Sequence, residues 1–235
     1  SDILFPYRTP PFDNPKINTQ RELMYIPKHF QQQDHEALCD LIRQHPLATL
    51  VVNSNSGLSA NHIPLRLAHN SSSDIVLQGH IAKANPLWKE KPEEALAIFQ
   101  GTDAYISPNW YPTKQEQGKV VPTWNYVAVH ASGKIQFIND RSWKLSFLHS
   151  LTTEHESNQE QPWAISDAPK DFIEKMLDAI VGFEIAVHEL NGKWKVSQNQ
   201  VEKNQTGVID GLSASSDTKA ITLASVMAQH TPVDH

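Results

Sequence analysis

The stretch GHIAKANPLWKE, residues 79–90, places His80, Lys83 and Asn85 directly before a predicted helix. Asn85 is a favourable N-cap, and Pro86 suits the first helical position. The free N–H groups and the dipole of such a helix start attract a phosphate, and Lys83 would add a positive charge. A capped helix beside an exposed lysine would have the same sequence, so this stretch alone is weak evidence for an anion site.

Two further segments carry side chains that could border the same ligand. Asn61 and His62 lie on a predicted strand with Pro64, which is typical of an edge strand or a bulge. Trp124 and Asn125 follow a long loop, residues 108–122, and could flank a flat heterocycle with an aromatic ring and an amide. Packing in the core remains an equally good interpretation of the tryptophan.

The segment KWKVSQN ends a predicted strand with Ser197, Gln198 and Asn199. A strand with a purely structural purpose does not need three consecutive hydrogen-bonding side chains at its end. These residues could contact a ligand, although the chemistry of an ordinary turn explains them as well.

The twelve histidines do not follow metal-binding spacing. Each of the segments HEAL, HESN and HELN lacks the second histidine four residues later that a helical zinc pair requires. Cys39 is the single cysteine, which excludes an internal disulfide, and as a helix residue it is predicted to be a small core residue. No Gly-x-Ser-x-Gly motif is present. We therefore expect neither a dedicated metal site nor covalent acyl transfer.

The composition bounds the class of protein. The 235 residues carry a net charge of −6, with 20 basic and 26 acidic side chains and no cluster of Lys or Arg. Nucleic-acid binders gain most of their non-specific affinity from a basic surface, so the charge does not favour DNA binding. No segment reaches the ~20 apolar residues of a membrane span. A signal peptide is not recognisable, and we expect a cytoplasmic protein.

Short strands dominate the first half of the predicted fold. Asp34 is a suitable N-cap for a helix that Pro46 ends, and strands follow at LATLVVN, LSANHIPLRLA and IVLQGHI. EALAIFQG and DAYISP are predicted as two strands joined at a Gly-Thr-Asp turn. TWNYVAVHASGKIQFI is predicted as a hairpin with its turn at residues 131–134, and FEIAVHELNGKWKVSQN as a second hairpin with its turn at Asn191-Gly192.

The spacing of apolar residues then indicates helices between the last two hairpins and again in the tail. Two amphipathic helices are predicted in an insertion at about 141–182, and two short polar helices in the tail, 201–235. Residues 1–23 read as an extended leader, so the main domain is predicted at 24–200. Six or seven strands, mostly joined by hairpins, favour an antiparallel sheet that curls into a barrel.

Six segments together carry a resemblance to a known family. They occur in this order: MYIPKHF, HIPL, GHIAKANPLW, AYISPNWYP, VPTWNYVAVHASGKI and KWKVSQN. Each is modest by itself, but the ordered set, from Met24 to about Gly211, resembles the PaiB family of FMN-binding negative transcriptional regulators.

The resemblance implies an α+β protein with an antiparallel split β-barrel of the FMN-binding type, also used by pyridoxamine-phosphate oxidases and haem-utilisation proteins. It implies FMN as the cofactor and a homodimer with flavin sites at the subunit interface. The motifs then assign cofactor contacts at the isoalloxazine ring, the phosphate or the closing wall of the pocket. The residues are Asn61, His62, His80, Lys83, Asn85, Trp124, Asn125, Ser197, Gln198 and Asn199.

One departure bears on activity. Relatives of the oxidase type commonly carry an arginine soon after the SQN element, whereas this chain has Gln200 followed by VEKN. The chain therefore lacks, at this position, the arginine that would support a pyridoxamine-oxidase-like contact with substrate. Two alternatives to a regulator stay open: a flavin-dependent oxidoreductase acting on a small molecule, and a haem-handling protein that uses His62, His80 or His130 as an axial ligand.

Overall fold

A computed structural model describes residues 24–230; the predicted leader, residues 1–23, and the last five residues lie outside the described part. In that part the strands are β1 (Gln31–Gln32), β2 (Leu47–Ser54), β3 (Gly57–Pro64), β4 (Arg66–His69), β5 (Ile75–Ala82), β6 (Glu94–Ile106), β7 (Thr123–Ile138) and β8 (Ile180–Lys195). The helices are α1 (His35–Gln44), α2 (Leu87–Glu90), α3 (Thr113–Gln117), α4 (Arg141–Glu156), α5 (Lys170–Asp178), α6 (Glu202–Ser213) and α7 (Thr218–His230).

The eight described strands form one antiparallel sheet in the order β3-β2-β6-β7-β8-β5-β4, with β1 beside β8. The sheet curls until β3 approaches β5, which makes the predicted barrel. Its inner face is filled by side chains such as Leu50, Phe99 and Phe183, each 0% exposed. The fold class predicted from the sequence, an antiparallel barrel with added helices, is therefore confirmed.

Helices close the barrel at two places. Asp34 caps α1 by accepting hydrogen bonds from the backbone of Glu36 and Ala37, as its position in the sequence predicts. α1 then lies on the inner side of the sheet, where Leu38 contacts Gly192. The tail helices α6 and α7 also contribute to the core, because Leu212 and Leu223 are fully buried. The tail is thus less polar in effect than its composition suggests.

The helical insertion covers the outer side of β5 and β8. Trp143 of α4 lies over Gly182 and stacks on Phe147 at 5.2 Å between ring centroids. Lys144 is 3% exposed, and its ammonium donates to the backbone oxygens of Leu177 and Ile180 at 2.6 and 3.3 Å. These bonds fix the end of α5 to the start of β8.

Three predicted turns are wrong, because long strands run through them. β6 continues through residues 101–103 with a bulge between Gln100 and Asp103, where the register shifts. β7 continues through residues 131–134, with another irregularity at Ser132/Gly133. β8 continues through Asn191-Gly192, and this glycine serves close approach of Leu38 rather than a turn.

The strand predicted at LSANHIPLRLA is divided. β3 ends at Pro64, Leu65 lies between the strands, and β4 begins at Arg66. Leu65 is 1% exposed, and its N–H donates to the carbonyl of Pro46 at 2.9 Å. β3 pairs with β2 at one edge of the sheet. At this bend the chain leaves that edge and reaches the opposite edge, where β4 pairs with β5.

Candidate functional site

Ten residues were predicted to contact a cofactor, and the structure separates most of them into two groups. The first, here called the lysine-turn group, lies where β3 approaches the end of β5 and contains Asn61, His62, Lys83 and Asn85. The second, here called the strand-end group, lies at the start of β7 and just beyond the end of β8. It contains Trp124, Asn125, Ser197, Gln198 and Asn199.

The lysine turn is held by its own backbone and by two amides. Asn85 donates from Nδ2 to Oδ1 of Asn61 at 2.9 Å, and its Oδ1 accepts from the N–H of Leu87 at 3.0 Å. The N–H of Lys83 donates to Ala179 at 2.8 Å, and its carbonyl accepts from Nε1 of Trp88 at 2.9 Å. The two asparagine side chains are thus engaged with the protein, whereas the ammonium of Lys83 is exposed.

The predicted helix after this turn is shorter than expected. α2 spans only Leu87–Glu90, and Pro86 occupies the position before it. A single turn aligns few peptide dipoles, so the helix dipole offers little attraction for an anion. Any attraction of the lysine turn for a phosphate comes mainly from the fixed position of Lys83.

The outer face of the sheet carries a row of side chains beside the lysine turn. Directly paired residues share a face of an antiparallel sheet. The pairing therefore places one outward row across five strands: His62, Thr49, Ile98, His130 and Asn191. All five are at least partly exposed. Nδ1 of His62 lies 3.1 Å from Oγ1 of Thr49.

Among residues 24–230, two polar side-chain atoms on the part of this outer face formed by β7 are buried without a hydrogen-bond partner. They are Nδ1 of His130 and Oγ of Ser132, two residues further along β7. Burial lowers the pKa of His130, and the positive charge of Lys193 lowers that pKa further. Buried polar atoms are rarely left unpaired, so these two indicate a surface that another group completes.

The strand-end group faces in two directions. Asn125 is 1% exposed and donates from Nδ2 to Oγ of Ser197 at 2.8 Å, beneath Met227 of α7. Its Oδ1 is a further buried polar atom, without a hydrogen-bond partner in the described part of the chain. Trp124, the preceding residue, points to the outer face and is 54% exposed. Their adjacency in sequence suggested that the amide and the ring border one ligand side by side. In the structure they face opposite sides of the sheet.

The three polar residues that follow β8 and Val196 differ in their freedom to contact a ligand. Ser197 is buried and has φ of 67°, in the left-handed region. Gln198 bonds to its own backbone surroundings, the N–H of Val196 and the carbonyl of Trp194. Asn199 is exposed. The first two therefore shape the turn, and Asn199 is the one that faces solvent.

His80 belongs to neither group. It lies on the outer side of β5 beneath α4, with its ring 5.7 Å from that of Phe147. Its Nδ1 is buried with no hydrogen-bond partner among the described residues, and burial lowers the pKa of the imidazole. α4 thus separates it from solvent on this side. Of the three histidines considered as haem ligands, His62 is the exposed one, while His80 and His130 are half-buried.

Sequence reasoning missed several residues of the outer face. Tyr105, Tyr126, Lys193 and Lys195 lie on the same side as Trp124. The alternation in KWK, where Trp194 is 7% exposed, is the signal that could have placed both lysines outward. The predicted turn at Asn191-Gly192 concealed it, because a turn interrupts the alternation.

Three further features of residues 24–230 concern metal binding, the cysteine and membrane spans. No group of three or more His, Cys, Asp or Glu in that range is arranged to hold a metal ion. Cys39 is 1% exposed, as predicted for a core residue, and burial raises the pKa of its thiol. None of the helices in the same range is long and apolar enough to cross a bilayer.

Comparison with known proteins agrees with this fold. Residues 24–189 match the family described as "Putative FMN-binding domain". The chain is 32% identical to the Protease synthase and sporulation protein PAI 2 of Bacillus subtilis, over 87% of this chain and 96% of that protein. It is 34% identical to the uncharacterized protein AN0679 of Emericella nidulans, over 80% and 90% of the two chains.

Solved structures share the barrel at lower identity. The FAD and heme binding protein of Mycobacterium smegmatis is 19% identical, with a TM-score of 0.51 over 70% of this chain and 73% of that chain. At this identity the likeness concerns the fold alone, a split barrel that holds flavin in that protein. The extent of the family match and the identity to PAI 2 establish that the chain belongs to the PaiB family of FMN-binding split-barrel proteins, with FMN as its cofactor.

Proposed function

We propose that the chain works as a homodimer in which each FMN lies between the lysine-turn group of one copy and the strand-end group of the other. The observation that carries this proposal is the separation of the two groups within one chain. Ala82 pairs with Ile180 at the start of β8, whereas Tyr126 pairs with Lys195 at its end. The groups thus lie at opposite ends of a 16-residue strand.

A second copy would bring these ends together. The strand rises ~3.3 Å per residue, so one small ligand cannot touch both ends of β8 in a single chain. The outer row from His62 to Asn191 spans about 19 Å, because neighbouring strands lie ~4.8 Å apart. Val51, Leu96 and Ile98 on this face are only partly buried. They supply apolar surface for pairing, as dimer interfaces require.

The available side chains fit a flavin. Lys83 offers an exposed ammonium on a fixed backbone, which suits the phosphate. His62 and Trp124 present ring faces or edges on the outer side of the sheet, which suit the flat isoalloxazine. Bound FMN supplies hydride or electron transfer, while the residues of this chain bind, orient and shield it.

The proposal is tested by titrating the purified protein with FMN and measuring flavin fluorescence. Lys83→Met is expected to weaken FMN binding about ten-fold, the usual scale for losing one charge-assisted contact. Lys89→Met, a nearby exposed lysine on α2, is the matched control and should leave the affinity unchanged. Equal affinities for the wild type and both variants would exclude the lysine turn as the phosphate site.

For the biological role, we propose negative regulation of transcription in the cytoplasm, on the strength of the PaiB resemblance. Direct contact with DNA has little support from the surface. The helix pair α6–α7 carries Lys203 and Lys219, which lie 2.5 Å from Glu116 and 3.7 Å from Asp103. A mobility-shift assay at two salt concentrations tests DNA binding. Binding that weakens steeply with salt would show phosphate contacts.

A second candidate is a flavin-dependent oxidoreductase acting on a small molecule. It is favoured by exposed aromatic side chains on the outer face, because Trp124 and Tyr105 are 54% and 48% exposed. Aromatic rings beside a flavin can hold a flat substrate. Anaerobic mixing of the FMN-loaded protein with NADH or NADPH tests this function. Bleaching of the flavin band supports an enzyme, and a stable oxidised flavin argues against one.

A further inference from the structure

Five side chains on the outer face form a surface of which the assignment of FMN uses only Trp124. Tyr105 pairs with Trp124, and Tyr126 pairs with Lys195, while Lys193 lies two residues before Lys195 on β8. Because paired residues and alternate residues share a face, all five point outward. This set, Tyr105, Trp124, Tyr126, Lys193 and Lys195, is called the aromatic–lysine face below.

The aromatic part of this face is open. The rings of Tyr105 and Trp124 meet edge to face, with centroids 6.0 Å apart. About half of each side chain is exposed, whereas large aromatic side chains are mostly buried when they serve only the core. An exposed indole with a second ring held against its edge offers a flat surface on which a planar molecule can stack.

The two lysines are positive without an acidic partner. No carboxylate in residues 24–230 lies within 4.0 Å of either ammonium. Lys195 donates to Oγ1 of Thr123 and to the carbonyl of Trp124, and Lys193 donates to the carbonyl of Tyr25 at 2.9 Å. These acceptors are neutral and leave the charges uncompensated. Consistently, burial lowers the pKa of Lys195, and the charge of Lys193 lowers it further.

The positive charge of this face contrasts with the negative net charge of the chain. The net charge is −6, and some of the described lysines, such as Lys203 and Lys219, are paired with carboxylates; Lys193 and Lys195 differ in lying together on one face beside exposed rings. Two unpaired lysines beside exposed rings attract a molecule that combines a planar ring with a negative charge. The area is too small, and its charge too low, for a nucleic acid, which needs several phosphate contacts along a basic groove.

We propose that the aromatic–lysine face binds a small planar aromatic anion, such as an aromatic carboxylate. The ring would stack on Trp124 and Tyr105, and the carboxylate would lie near Lys193 and Lys195. This deepens the proposed function, since Trp124 also belongs to the strand-end group, and it makes the anion a candidate substrate or effector of the flavin. The binding itself does not require any flavin chemistry.

The test uses two probes of the same shape that differ in charge. Naphthalene-2-carboxylate and naphthalene-2-carboxamide are titrated into the purified full chain, with and without added FMN, by isothermal titration calorimetry. The carboxylate is expected to bind about ten-fold more tightly than the carboxamide, and salt should reduce this difference. Lys193→Met/Lys195→Met should remove the preference but retain weak binding of both probes.

Two controls separate the ring contacts from the charge. Tyr105→Leu is expected to weaken both probes by a similar factor, because it removes a ring and no charge. Lys170→Met/Lys175→Met removes two exposed lysines of α5 and should change neither affinity. FMN affinity, measured in each variant, should equal that of the wild type in both lysine double variants.

The outcomes also separate this inference from the proposed function. Equal affinity for the two probes, or a preference that survives Lys193→Met/Lys195→Met, overturns the anion site. Loss of FMN binding in that variant overturns it as well, because the lysines would then hold the flavin phosphate. Tighter binding of oligothymidylate in competition with the carboxylate would overturn the small-ligand assignment. If the wild type prefers the carboxylate but binds no FMN, the proposed function fails and the anion site stands.

Discussion

At the scale of single residues, Asn125 and Ser197 join two strands by a buried hydrogen bond. Ser197→Ala removes the Oγ that accepts from Asn125 at 2.8 Å and leaves a buried donor without its oxygen partner. We expect the free energy of unfolding to fall by ~1–3 kcal/mol, measured by urea denaturation. Ser132→Ala is the matched control, because its buried Oγ forms no hydrogen bond with residues 24–230 of the same chain. An equal loss in both variants would contradict this account.

The buried imidazole of His80 predicts a pH dependence of stability. Burial lowers its pKa in the folded state, so the unfolded chain binds the proton more readily. Stability should therefore be complete above the ordinary pKa of ~6.5 and fall as the pH drops below that value. His80→Gln removes the titrating group. Urea midpoints at pH 7.5 and pH 5.5 should differ less in this variant than in the wild type.

Replacement of an exposed histidine provides the comparison for that experiment. His155→Gln lies on the solvent side of α4 and should keep the full acid sensitivity of the wild type. If His80→Gln also keeps it, the acid sensitivity comes from other buried groups, such as His45 or His130, whose pKa values burial also lowers.

At the scale of elements, substitution of Gly192 tests whether the chain forms a strand or a turn at this position. In a hairpin turn of the predicted kind, Gly192→Asn would be tolerated, since Asn adopts left-handed φ at little cost. In β8, any side chain at this position meets Leu38 of α1. We expect Gly192→Asn to destabilise the fold by ~1–3 kcal/mol in urea denaturation, the usual cost of overpacking.

Gly57 is the matched position for that prediction. It lies at the β2–β3 turn with φ of 101° and nothing within 4 Å of a built Cβ. Gly57→Asn should therefore cost ~1 kcal/mol or less, mainly through its backbone conformation. The reverse order of the two costs would restore the predicted turn at Asn191-Gly192 and contradict the continuous strand.

The same element shows what the sequence could and could not predict. Alternation and caps placed α1, β2, β5 and both helices of the insertion, because those signals are local. The lengths of β6, β7 and β8 could not be predicted from local sequence. A glycine beside polar residues occurs in turns, in bulges and at close contacts alike, so the local sequence does not distinguish the three. Only the position of α1 against the sheet shows why Gly192 is needed.

Motif resemblance predicted a set of residues for the candidate site but could not predict their arrangement. Motif resemblance selected Lys83 and Trp124, which do face outward, together with Asn61 and Asn125, whose amides bond within the protein. Which side chain of two neighbours points outward depends on the register of β7 with β6 and β8. That register follows from pairing over long sequence distances, which no local pattern contains.

At the scale of the whole molecule, Ile98 tests whether the outer face joins two copies. It lies at the centre of the row from His62 to Asn191 and is partly exposed, so a charge there is compatible with a folded single chain. Between two copies, the same charge would be buried without a partner, at a cost of several kcal/mol. Ile98→Glu is therefore expected to be monomeric in analytical ultracentrifugation and to bind FMN about ten-fold more weakly or worse.

Leu145→Glu places the same charge on the exposed side of α4, away from the proposed interface, and should keep both the dimer and the affinity. Far-ultraviolet circular dichroism of both variants checks that the fold is retained. A folded Ile98→Glu protein that remains dimeric and binds FMN normally would place the interface elsewhere. A monomer with normal FMN affinity would instead show that one chain holds the flavin alone, because the lysine-turn and strand-end groups would then not need to meet across two copies.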